Sequence, residues 1–135
     1  MKTTRLDVVL RLREEAEKTS RTTLGKALGK VDVAQQHLEQ AQQRAARCSA
    51  GERCGAWLLD VFDRAHESAL AQVKVAEGAL TAATADKDVA HAHHGAARIA
   101  QRVIARAVDG KRSEMRQADD RREQAALDEL AILRA

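Results

Sequence analysis

From Ala27 onward, apolar side chains recur in alternating steps of four and three: Ala27, Val31, Ala34, Leu38, Ala41, Ala45 and Cys48. Such a 3.5-residue repeat is the seam of a left-handed coiled coil. Upstream, Val9, Leu12 and Ala16 form a second stripe, and Ala16 stands eleven residues before Ala27. That spacing predicts a stutter, which locally relaxes the supercoil. Gly25 and Gly29 weaken the helix where the stutter ends, by roughly 1 kcal/mol each relative to Ala.

Periodicity stops at Ser49-Ala50-Gly51-Glu52-Arg53-Cys54-Gly55, a segment with the length and glycine content of a helix–helix connection. It resumes with Leu58, Phe62, Ala65, Ala69, Val73, Ala76, Leu80 and Ala83. A weaker stripe continues through Ala90, Ala97, Ile104, Val108, Met115 and Ala118 to Ala126, Leu130 and Leu133. Lys87, His94, Gln101, Lys111 and Arg122 interrupt it. The expected fold is all-α: one domain over residues 1–135, a long antiparallel two-helix coiled-coil hairpin. Helix one spans about 4–48, the tip 49–56, and a longer C-terminal helix two about 57–133. With a tip near residue 52, helix one covers helix two to about residue 100 and leaves the C-terminal third unpartnered. The polar segment 81–88 offers a rival, because Thr84 or Asp86 could cap a new helix there. The apolar phase crosses that segment and favours a continuous helix.

Composition narrows the picture. The 135 residues include 28 Ala but only 27 Leu, Ile, Val and Phe together, with no Pro, no Tyr, one Trp and one Phe. So few large side chains cannot fill a thick interior at normal packing density, whereas strong helix formers abound. An extended helical protein is expected, and a sheet protein or compact enzyme domain is not. The net charge is +3, with the basic excess in the first helix. No dense basic stripe with interleaved aromatics marks a nucleic-acid binder. The opening MKTTRLDVVLRLREE lacks the apolar core of a signal peptide, and no apolar run is long enough to span a bilayer. The expected location is the cytoplasm, where Cys48 and Cys54 stay reduced.

Candidate chemistry is sparse. Asp88, His91 and His94 can share one helical face, a set able to bind a transition metal. The Glu-x-x-His pairs of a di-metal helical bundle are missing, so exposed helix histidines are the simpler reading and no metal or cofactor is expected. Gly25 and Gly29 have neither the spacing nor the preceding strand of a phosphate loop. A thin two-helix body offers no pocket for a nucleophile, so the chain reads as a non-enzyme. Trp57, Leu58 and Phe62 cluster just past the turn with Leu59 and Val61. They either cap the open end of the hairpin or form a tip partner-binding patch.

The two ends carry the most specific signal. The start reads Arg5-Leu6-Asp7-Val8-Val9-Leu10-Arg11-Leu12-Arg13-Glu14, and the close reads Arg121-Arg122-Glu123-Gln124-Ala125-Ala126-Leu127-Asp128-Glu129-Leu130-Ala131. Together, at the correct ends of a chain of this size, they resemble the FliJ family of bacterial flagellar type III export. The resemblance implies an antiparallel coiled coil like the central stalk of rotary ATPases. Its terminal end would bind the hexameric export ATPase and promote ring assembly and activity. It would also contact the cytoplasmic part of the export gate and export chaperones. On that picture Leu6, Val9, Leu10 and Arg13, with Arg122, Glu123, Leu127, Asp128, Glu129 and Leu130, form the ATPase-binding end. Gate contact would lie nearer the tip, though the Ala-rich, aromatic-poor middle departs from the family pattern. Injectisome stalk proteins share the architecture. The stalk reading expects an elongated monomer, a generic coiled-coil scaffold expects a stable oligomer, and a helical metal-binding protein is a third alternative.

Overall fold

The computed structural model describes residues 5–49 and 56–134, with side-chain environments for 5–48 and 59–134. Two helices account for all of them: α1, Arg5–Ser49, and α2, Ala56–Arg134. No strand occurs among the described residues. The chain divides into two compact units, residues 20–94 and residues 1–19 with 95–135. In each unit a stretch of α1 packs antiparallel against a stretch of α2.

Within residues 20–94, the seam of α1 is the one the repeat predicts. Ala27, Ala34, Ala41 and Ala45 are buried, while Val31, Leu38 and Cys48 are half-buried between them. Ala69, Ala76 and Ala90 are buried on α2, with Phe62, Val73, Leu80 and Ala83 half-buried. His66, not Ala65, fills the seam position after Phe62. A hydrogen bond of 3.2 Å between Ser20 Oγ and His94 Nδ1 fixes the register. Stepping from that layer toward the turn by threes and fours sets Leu24 opposite Ala90, Val31 opposite Ala83, Ala34 opposite Leu80, Leu38 opposite Ala76 and Ala41 opposite Val73. Each large side chain thus faces a small one. Alanine lets the helices approach closely, and the partner Leu or Val fills the space that remains. The low content of large residues is the packing solution of a narrow pair.

Residues 1–19 with 95–135 correct two expectations. Val9, Leu12 and Ala16 are exposed rather than in the seam. Leu6, Leu10 and Glu17 are half-buried instead. The inward position of polar Glu17 hides this face from apolar counting, and the neighbouring exposed apolar residues mimic another phase. The second correction concerns reach. Helix two is covered beyond residue 100, to Val108, which is only 2% exposed and is the most buried side chain described.

α2 runs unbroken through 81–88 and Gly110. The threonines explain the first crossing. Thr81 donates its hydroxyl to the Glu77 carbonyl at 2.9 Å, and Thr84 to the Leu80 carbonyl at 2.8 Å. Both hydroxyls turn back into their own helix rather than capping a new one. Half-buried Lys87, His94 and Gln101 do not break the seam but occupy it, as polar layers. No described helix is long and apolar enough to cross a membrane.

Candidate partner-binding ends

The N-terminal residues of the expected ATPase-binding set divide by their place on α1. Leu6 and Leu10 are half-buried and contribute to packing against α2. Val9 and Arg13 face solvent. Asp7, in the first turn of α1, accepts a 2.9 Å hydrogen bond from Arg112 Nη2 and is paired with it as an ion pair. A carboxylate there also complements the positive end of the helix dipole.

The C-terminal residues lie elsewhere. From Glu114 to Arg134 every residue of α2 is exposed. Arg122, Glu123, Leu127, Asp128, Glu129 and Leu130 all belong to this stretch. Arg112 meets Asp7 near the start of α1, so Arg122 stands about 15 Å further along α2 and Leu130 about 27 Å, at 1.5 Å per residue. The two halves of the expected set are therefore not brought into one patch among the described residues. Leu130 is 56% exposed and Leu133 82%. Leu127 and Ile132 are exposed too. Apolar side chains on a helix with no intramolecular partner need another surface. Among the described residues, Gln124 pairs with Asp128 and Arg122 with Asp119, both within α2.

At the other end, the side chains of Trp57 and Leu58 lie outside the described residues, as does Cys54. Phe62 is half-buried in the seam, so it packs rather than projects, while Leu59 and Val61 are exposed beside it. Cys48 is half-buried with a free thiol. Among the histidines, His91 and His93 are exposed and His94 is engaged with Ser20. No group of three or more potential metal ligands forms among the described residues.

The family model described as Flagellar FliJ protein matches residues 1–135. The chain belongs to the flagellar FliJ family. It is thus a component of flagellar type III protein export, and the match favours the flagellar system over the injectisome. No curated protein and no solved structure matches the chain. In this FliJ protein Ala alternates with larger residues along the seam of residues 20–94, and α2 is exposed from Glu114 to Arg134. Leu6 and Leu10 belong to the terminal motif, but their half-burial assigns them to packing.

Proposed function

We propose that this protein is a non-catalytic, stalk-like component that binds the hexameric flagellar export ATPase through its terminal end. The observation that carries the proposal is the uninterrupted exposure of α2 from Glu114 to Arg134, with Leu127, Leu130, Ile132 and Leu133 presented to solvent. Family membership over the full chain supplies the context. The stretch is about 30 Å of single helix, narrow enough to enter a ring. Its Leu and Ile side chains would bury against apolar wall positions. Arg122, Glu123, Asp128 and Glu129 would set orientation through charge complementarity, which steers encounter more than it adds affinity. Val9 and Arg13, exposed on α1 and separate from that stretch, would offer a second contact. Binding would favour the assembled ring by mass action, since a ligand stabilises the state it binds. Contacts with the export gate and export chaperones complete the proposed role, at the membrane-associated export apparatus.

Hydrolysis by the cognate ATPase, measured with and without the full-length protein, tests the proposal. Stimulated turnover and co-purification are expected. Unchanged turnover without co-purification would remove the ATPase as a partner.

A further inference from the structure

The seam of residues 20–94 is built from sets of positions that each repeat every seven residues. On α1 one set is small, Ala27, Ala34 and Ala41, and the alternate set is large, Leu24, Val31 and Leu38. On α2 the small set is Ala69, Ala76, Ala83 and Ala90, and the larger set is His66, Val73, Leu80 and Lys87. In the register that Ser20 and His94 fix, the small set of each helix faces the larger set of the other. The same complementarity returns when α1 moves one heptad, about 10.5 Å, toward the turn. Leu38 then faces Ala69 in place of Ala76, Ala34 faces Val73 in place of Leu80, and Ala27 faces Leu80 in place of Lys87. A half-heptad move is different. It sets Val31 beside Leu80 and Ala34 beside Ala76, large against large and small against small, which overpacks some layers and empties others. The seam therefore admits whole-heptad steps and resists those between.

Of the two heptad steps, the one toward the turn keeps α1 covered. α1 ends at Ser49 and α2 begins at Ala56. In the observed register Ser49 is level with about residue 65, so α2 leads α1 by about 13 Å of helix. The step uses that lead. Ala45, now level with Ala69, comes level with Phe62, and Cys48 comes level with Leu59, which is 48% exposed in the observed register. An Ala–Ala layer thus becomes an Ala–Phe layer, with more apolar area buried. The opposite step would carry Cys48 up to Val73 and strip α1 from Ala69 and His66. Polar contacts oppose the step toward the turn. The 3.2 Å hydrogen bond of Ser20 Oγ with His94 Nδ1 would part, leaving Ser20 level with Lys87. α1 is one unbroken helix, so Asp7 would part from Arg112 as well. We propose that the helix pair has two registers one heptad apart, with the Ser20–His94 layer as the latch of the observed one. Apolar burial near the turn is exchanged for polar contacts that are individually weak. The second register is therefore a minor state that a ligand preferring it can populate. Such a device converts a bias at one end of α1 into an axial displacement of the helix.

Disulfide trapping with oxidised glutathione tests the proposal in the full-length protein carrying Cys48→Ser and Cys54→Ser. A disulfide needs Cα atoms within about 7 Å, so a pair one heptad out of register closes only after the helices move. Ala41→Cys with Val73→Cys reports the observed register. Ala41→Cys with His66→Cys reports the second, and Ala41→Cys with Leu80→Cys reports the opposite step. The first pair should close fastest, and the second at least about tenfold faster than the third. Ser20→Ala should speed the second by about fivefold, the effect of one lost hydrogen bond, without speeding the third. Circular dichroism verifies folding. If a variant of this series does not fold, Ala34→Cys with Leu80→Cys, Val73→Cys or Lys87→Cys repeats the three reports at another layer and decides. Equal rates for the second and third pairs would mean local unfolding and overturn the proposal. So would a second-pair rate that Ser20→Ala leaves unchanged, or failure of the first pair to close. Closure of the second pair only between molecules, seen as a covalent dimer on a non-reducing gel, would overturn it too.

Discussion

Arg112 donates from Nη2 to Asp7 Oδ1 at 2.9 Å, joining the first turn of α1 to α2 just before α2 becomes fully exposed. The Asp7 side chain is only 16% exposed while that of Arg112 is 58% exposed. A half-solvated pair of this kind contributes modestly, about 0.5–1 kcal/mol, and its main role is to fix where pairing ends. Asp7→Ala should lower stability by about 1 kcal/mol, because it removes both the pair and a first-turn carboxylate. A double-mutant cycle with Arg112→Ala, followed by urea denaturation, measures the coupling. Additive effects would show that the pair holds nothing.

The large-opposite-small register makes a packing prediction. Ala34→Leu sets two leucines against each other at the layer of Leu80 and should destabilise by about 1–3 kcal/mol. Leu80→Ala leaves the same layer empty and should cost about 2–4 kcal/mol. Combining the two restores one large and one small residue, so the double variant should be more stable than the sum of the singles. Strict additivity in thermal denaturation would contradict the register.

His66 places a buried Nδ1 at a seam position without a hydrogen-bond partner. Its desolvation is uncompensated, which costs about 1–3 kcal/mol for a polar group. His66→Leu should therefore raise the melting temperature; an unchanged or lower value would mean that the nitrogen is satisfied in solution.

Gly110 sits within α2 without a positive φ, and a Cβ there would meet nothing within 4 Å. It has the sequence signature of a hinge but the geometry of ordinary helix. Gly110→Ala should stabilise the protein by about 0.4–1 kcal/mol through the unfolded chain and helix propensity. A destabilised variant would indicate that the backbone bends at this position.

Much of this was legible in the sequence. The heptad from Ala27 to Cys48 states the seam residue by residue, and Phe62 through Ala83 does nearly the same for the facing helix. The failures share one physical cause. Near the N-terminus, exposed Val9 and Leu12 outshine inward Glu17 and Ser20, so apolar counting picks the wrong face. A helix pair this narrow leaves even its seam partly wet, and polar side chains are tolerated there when they find partners, as Ser20 and His94 do. The reach of α1 along α2 is marked by the Asp7–Arg112 pair, two polar side chains that apolar counting passes over. The repeat predicts an unpartnered C-terminal end, but its separation from Leu6 and Leu10 shows only in the structure.

The C-terminal stretch of α2 is the proposed ATPase-binding surface. The direct measurement is the affinity of the cognate export ATPase for the full-length protein, wild type against Arg122→Ala with Leu130→Ala, each checked by circular dichroism. Both positions are exposed and unpacked, so helicity should be unchanged and stability should shift by no more than about 0.5 kcal/mol. Affinity should fall by about tenfold or more, as when an interface anchor is truncated. Wild-type affinity in a correctly folded variant would contradict ATPase binding through this stretch.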